Sequence, residues 1–424
     1  MSYRFPPLTR HLFHGYWIVL VAFLCLFFTM GCGVFAFSLF TRPLEDAMGW
    51  SRGQIMVGFT IFFVTMGLAS PVVGRLVDRH GARKVIVAGA LLFGTGFVLL
   101  SRLQALWMLY IAYGVIGTGG AFMGAVPSST IVSNWFVRHR GAAVGVMSSG
   151  IGVGGLVIAP LVGNYIMPSF GWRVSYLALA LLTWVVMIPL TLIIVRTRPE
   201  EMGLHPDGAG APISSPGTEH TEREASQVSF RTAIASIAFW LIATSYFLST
   251  FSQMGMLQSQ VPYLEDIGFP LGLAASALGG VGLGSGVGKL IFGWLCDRIK
   301  AKYACTIGLV LQLTAVLLLL SITPDSHVAM LWVYALTHGL GAGSWLPTMS
   351  MIVSTSFGLA SYGVIFGAAS FVQCVGTATG PLMAGLVYDV TGSYMPAFIA
   401  FASLYAISIP AILVVRERRR HRYQ

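Results

Sequence analysis

The stretch "GRLVDRHGARK", residues 74–84, returns as "GWLCDRIKAKY" at 293–303. Each copy closes an apolar run with a glycine four residues ahead of an Asp-Arg pair, then passes through basic residues into a second apolar run. Two further echoes flank it. "LWMLYIAYG" at 106–114 matches "LWVYALTHG" at 331–339, and Pro160 matches Pro381. The three offsets, 219, 225 and 221 residues, are near enough to one another to imply a duplicated ancestral unit. Parallel repeats of this kind place a substrate site between the two copies, near mid-depth of a membrane.

Composition fixes the medium. The chain has 424 residues, 56% hydrophobic and only 9% charged, with a mean hydropathy of +0.78. A soluble domain carries about 25% charged residues, so this chain belongs in a bilayer. Its net charge of +10 is explained by cations beside apolar segments, which set membrane topology, rather than by nucleic-acid binding. Twelve apolar segments span roughly 15–41, 53–74, 85–101, 106–132, 141–167, 174–195, 232–257, 271–295, 303–322, 328–353, 363–387 and 394–415.

The expected fold is therefore an all-α membrane protein, twelve transmembrane helices in two pseudo-symmetric six-helix bundles. Residues 1–197 form the first bundle and 231–424 the second, with its basic tail. Between them, the Pro-, Gly- and Ser-rich segment 198–230 reads as a cytosolic linker. With both ends in the cytosol, twenty of the 25 Lys and Arg fall on the inner side; Arg42, Arg52, Arg102 and Arg173 fall outside. The positive-inside bias then orients the chain, and no A-x-A cleavage site follows the long first apolar segment.

The one remaining cation is Lys289, inside the eighth segment. It lies eight residues from Asp297, about 12 Å in from that helix end. A lysine at helix centre costs about 2.5–3.5 kcal/mol on insertion scales, so it must face a cavity or a partner. All fifteen Asp and Glu lie in loops or at helix ends, which leaves no internal carboxylate to pair with it. The missing anion is then the substrate; the bland alternative is a lysine that snorkels or bonds a backbone carbonyl. The phosphate-loop pattern is excluded, because Leu283 and Leu290 stand where it needs glycine and a hydroxyl.

Other polar groups fall near the same depth. Tyr334, His338 and Trp345 share one face of the tenth segment, and His338 occupies the repeat position of Tyr113. Ser285 and Gln373 complete the candidate contacts, although each is as readily a packed core residue. Cys25, Cys32, Cys296, Cys305 and Cys374 have neither paired outer positions nor C-x-x-C spacing, so neither disulfide nor metal is indicated, and no cofactor motif occurs. Glycines about one turn apart, such as Gly114 to Gly124 and Gly141 to Gly155, suit helices that approach closely and slide.

The chain resembles the major facilitator superfamily over essentially its whole length, and "GRLVDRHGARK" carries that resemblance. It implies that Asp78, Arg79 and Arg83, with Asp297 and Arg298 in the repeat, form gating pairs on the cytosolic face that latch the outward-open state. A narrower resemblance lies in "WFVRHRGAAVG", residues 135–145, with a weaker echo in "HGYW", residues 14–17; both are similar to monocarboxylate transporters and bacterial oxalate:formate antiporters. In that family a helix-eight cation, four residues before the repeat glycine, faces the substrate carboxylate, and Lys289 stands four residues before Gly293.

This chain departs from the vertebrate carriers at Ser285, where they place an acid, and at Val34, where they place a lysine. The resemblance implies a monomeric carrier of small monocarboxylates, lactate- or pyruvate-like, with proton symport, in a bacterial inner membrane and surrounded by lipid. It implies a transporter rather than an enzyme. Dicarboxylate or formate exchange is the near alternative, weakened because a dianion favours two cations. Drug efflux is the second: "GLVIAPLVG", residues 155–163, resembles the antiporter motif, but Tyr113 stands where drug antiporters place arginine. A sensor that kept the carrier fold is the third.

Overall fold

The computed structural model describes residues 13–136, 140–205, 207, 230–358 and 362–415, and among these it contains helices and no strand. The chain runs α1 (Gly15–Met30), α2 (Thr41–Met48), α3 (Arg52–His80), α4 (Ala82–Ser101), α5 (Leu106–Met123), α6 (Ala125–Trp135), α7 (Arg140–Pro160) and α8 (Met167–Ile194). After the linker come α9 (Phe230–Ile234), α10 (Ile237–Asp266), α11 (Leu271–Arg298), α12 (Ala301–Ser321), α13 (Val328–Gly343), α14 (Trp345–Phe357), α15 (Tyr362–Thr391) and α16 (Met395–Val414). Most of the linker lies outside the described residues.

Among the described residues, nine continuous helical stretches are long and apolar enough to cross a membrane by length and composition. One of them, Ala142–Ile194, reverses at Gly171, whose φ of 76° no side-chain-bearing residue adopts cheaply, and so counts as two crossings. The helix α10 and the broken pair α13–α14 have the length but more polar residues, which completes the expected twelve. Many large apolar side chains are exposed, among them Leu68, Ile193 and Val390, as a surface facing lipid allows.

Local sequence explains the interruptions. Ser51 caps α3 through a reciprocal capping box with Gln54, and Gly81, at φ 82°, ends it. Gly124 breaks α5 from α6 within one span. Pro160 and the π turn Leu161–Ile166 bend the end of α7, as a second π turn, Gly31–Phe35, bends the end of α1. The seventh segment runs nine residues further than the apolar pattern indicated: "QSQVPYLED" is polar, yet it continues α10 to Asp266. Its two glutamines and its serine are buried, so tertiary packing overrides composition there.

Two faces follow from this zigzag. One, here the linker face, carries Phe13, the turns near 81 and 300, and Val415; the other carries the turns near 50, 104, 268 and 392. The two halves meet through α7 against α11 and α3 against α15. The α7–α11 seam is built from glycine. A Cβ on Gly152 would lie 2.6 Å from the Gly282 carbonyl, and one on Gly279 would lie 2.7 Å from the Pro160 ring. Only bare backbone permits so close an approach.

Candidate functional site

The two faces are built differently. Toward the linker face the halves diverge around a cavity of about 940 Å³, lined by Ser129 and Ser133 of α6, Val144, Gly145, Ser148 and Ser149 of α7, Gly286, Lys289 and Leu290 of α11, Leu346, Pro347 and Ser350 of α14, and Phe366 of α15. Lys289 is half-buried in its wall. Its ammonium has no hydrogen-bond or ion-pair partner among the described residues, and no carboxylate lines the cavity. A half-buried lysine without a protein partner, in the wall of a cavity shared by the two halves, can hold an anion there.

At the opposite face the halves are locked together. Arg52 of α3 donates from Nη1 and Nη2 to both oxygens of Asp266 in α10, at 2.5 and 2.8 Å, and from Nε to Glu45 at 2.8 Å. Its guanidinium lies 3.8 Å over the ring of Tyr388 in α15. Beside it Asp389 accepts from Ser51 Oγ at 2.7 Å and from the Gly53 amide at 3.0 Å, so a second-half carboxylate sits on the N-terminus of a first-half helix. Deeper in, Thr60 donates to the Ala378 carbonyl and Gln258 to the Val34 carbonyl, at 2.7 and 3.0 Å. That carbonyl belongs to the π turn that follows α1. A cavity open on one face and sealed on the other is one end state of alternating access.

The remaining expected contacts go elsewhere. Tyr334 and His338 are fully buried inside the second half: Tyr334 donates to Gln260 Oε1 at 2.6 Å and lies 3.3 Å from His338 Nδ1, while Nε2 has no partner. Near them, Tyr246, Gln253, Gln312 and Tyr405 line a separate polar cavity of about 20 Å³, room for about one water. Tyr113 packs against Phe37, with ring centroids 5.0 Å apart, and against Gly58 in the first half. Ser285 is buried one turn above Lys289 without lining the cavity, and Gln373 lies half-buried on α15 with its carbonyl accepting from Thr250. Of the expected substrate contacts, only Lys289 lines the large cavity.

The expected latch residues all sit on the linker face and are apart. Asp78 and Asp297 are exposed and form no ion pair among the described residues; Arg83 donates to the Leu192 carbonyl, and Arg298 stacks 4.6 Å from the Trp294 ring. Arg52, which carries the lock, was expected only as one of four outer cations. A signal was present, since an arginine in the first turn of a helix faces the wrong end of the dipole and needs an acid nearby.

Comparison with known proteins now decides the family. The family model described as Major Facilitator Superfamily matches residues 20–381. The chain belongs to that superfamily. It is a multi-pass membrane transporter of small molecules. The chain is 24% identical over 400 residues to monocarboxylate transporter 13 of Rattus norvegicus, covering 94% of this chain and 88% of the relative. It is 23% identical to the oxalate:formate antiporter of Oxalobacter formigenes, covering 91% and 90%. The crystal structure of a bacterial homolog to the human lysosomal transporter Spinster, inward-facing and unoccupied, covers 95% of each chain with a TM-score of 0.69 at 15% identity, a likeness of fold.

Proposed function

We propose that this transporter carries small monocarboxylates, lactate- or pyruvate-like, with proton symport, from a bacterial inner membrane position in which both termini and the linker face lie in the cytosol. The observation that carries the reading is Lys289: a membrane-depth ammonium, without a protein partner, in a cavity shared by the two halves. The name of monocarboxylate transporter 13 supports that class, and the name of the oxalate:formate antiporter supports small carboxylates more broadly. Among the described residues Lys289 is the one charged side chain lining the cavity, which suits a monoanion better than a dianion. Drug cations find no acid there.

Charge accounting suggests the coupling. With the anion bound, Lys289 and carboxylate cross as a neutral pair; empty, a charged lysine returns poorly through a low-dielectric barrier. The cycle closes when Lys289 releases its proton after the anion leaves. The test is counterflow of labelled lactate in proteoliposomes. Lys289→Met is expected to lower counterflow about 30-fold or more, as truncating one member of a buried charge pair does. Lys289→Arg is expected to retain exchange but lose net proton-driven uptake, because guanidinium keeps its proton. Counterflow by Lys289→Met at the wild-type rate, with normal expression, overturns the reading.

A further inference from the structure

We propose that Ser148 is the first half's substrate contact, reading an oxygen next to the carboxylate that Lys289 holds. The inference rests on the carboxylate reading above and adds the residue that sets specificity within it. It begins from the α7–α11 seam. The two helices are antiparallel, and their contacts keep one register: Asn164 with Gly272, Gly163 with Ala275, Pro160 with Gly279, Leu156 with Gly282, Gly152 with Gly286. Continued by one turn, that register brings Ser148 to the level of Lys289 and Leu290. Both side chains therefore lie about 5–6 Å beyond the last glycine contact, where the helices part and the cavity begins.

Hydroxyl bookkeeping separates Ser148 from its neighbours. A helical serine ordinarily bonds a carbonyl three or four residues back. Ser129 does so, to Val126 at 3.1 Å, and Ser149 does so, to Val146 at 2.7 Å. Ser148 and Ser133 have no such bond and no other partner among the described residues, although both line the cavity. Ser133 lies two residues from the end of α6, at the mouth, whereas Ser148 is level with the cation. Beside Lys289 the second half lines the cavity with Gly286, Leu290, Leu346, Pro347, Phe366 and one hydroxyl, Ser350, which already has a partner. An anion anchored on Lys289 must therefore turn its remaining oxygen toward α7.

Such a ligand spans the halves. It meets the second half through charge and the first through a hydroxyl, so its contacts are completed only as the linker face closes. That supplies the differential affinity by which a substrate drives closure. A carboxylate lacking the second oxygen makes the first contact alone.

The experiment is competition against labelled lactate counterflow by matched pairs of acids, glycolate with acetate and lactate with propionate. In the wild type each hydroxy acid is expected to inhibit at about fivefold lower concentration than its plain partner, the effect of one neutral hydrogen bond. Ser148→Ala is expected to bring each pair to within about twofold, whereas Ser148→Thr and Ser133→Ala keep the preference. Thermal stabilisation of the detergent-solubilised variants by the same acids reads binding apart from turnover. Equal competition within each pair in the wild type, or a preference that survives Ser148→Ala, overturns the assignment of Ser148 and leaves Lys289 standing. Competition and stabilisation by no carboxylate at all overturns the carboxylate reading itself.

Discussion

The two faces of this transporter use opposite chemistry to handle charge between the halves. At the shut face the lock is matched: a buried arginine, three carboxylates, an aromatic ring and a helix N-terminus are each satisfied across or beside the seam. At the open face the cation is unmatched, and the nearby hydroxyl of Ser148 has no protein partner. The difference separates gate from site. A gate must satisfy itself in one state and be hydrated in the other, whereas a site must be left unsatisfied until its ligand arrives. Buried polar groups without partners are costly, so their placement in a cavity is informative.

The largest way to break the comparison is to unmatch the shut face. Arg52 is 3% exposed while its partners Asp266 and Glu45 are 25% and 30% exposed, so the stranded carboxylates of Arg52→Ala regain some water. We therefore expect a loss of about 2 kcal/mol of closure, roughly thirtyfold in the ratio of shut to open, below the usual cost of breaking a fully buried pair. Spin-label distances between cysteines placed at Arg102 and Asp325, in a chain lacking its native cysteines, are expected to gain a long component. An unchanged distance distribution would show that Arg52 is not what holds the face shut.

Much of this was legible in the sequence, and for nameable reasons. The repeat, the twelve spans and Lys289 follow from hydropathy and charge, which act one residue at a time. What stayed hidden needed pairing across hundreds of positions. Nothing local shows that Arg52 meets Asp266, or that Gln258 reaches the backbone of a π turn at Val34. The face shared by Tyr334 and His338 was correctly periodic, but periodicity cannot say whether a face looks into a cavity or into the interior of its own bundle; here it looks inward. Ser285 was a candidate because it lies one turn from Lys289 in the same helix, whereas Ser148 was not, because only the fold brings it level with Lys289 from the other half.

A smaller change sharpens the same lock. Asp389 accepts two bonds from the start of α3, one of them from a backbone amide, and so acts as a helix cap supplied by the other half. Asp389→Ala is expected to cost about 1 kcal/mol of closure, the usual worth of a cap, about fivefold in the same distance measurement. Asp389→Asn should recover part of it, since the amide oxygen still accepts from Gly53. An effect as large as that of Arg52→Ala would mean that the cap and the arginine act as one unit.

A further effect, between those two in size, concerns pH and rests on Glu265, beside Asp266. The helix α10 has 30 residues, about 45 Å, so its last turn lies beyond the hydrocarbon. There Glu265 Oε2 is buried without a partner, facing Arg42 and Asp46 of α2 and Arg52 of α3, with Asp266 next to it in its own helix. Burial pushes its carboxyl up to about 7, with the arginines opposing and the acids assisting. Opening the face hydrates the group and returns it to the ordinary carboxylate range, near about 4.3. A raised value in the shut state means that shutting takes up a proton between those limits. Closure is therefore strongest below the ordinary value, weakens as pH rises toward about 7 and is level above it. Because the group is partly hydrated even when shut, we expect roughly a tenfold change in the shut-to-open ratio between external pH 8 and 5, less than the full shift implies. Glu265→Gln is expected to flatten that dependence and hold the acid-side ratio at pH 8. If the variant keeps the wild-type pH profile, the titrating group lies elsewhere, and Glu265 does not tune the lock made by Arg52 and Asp389.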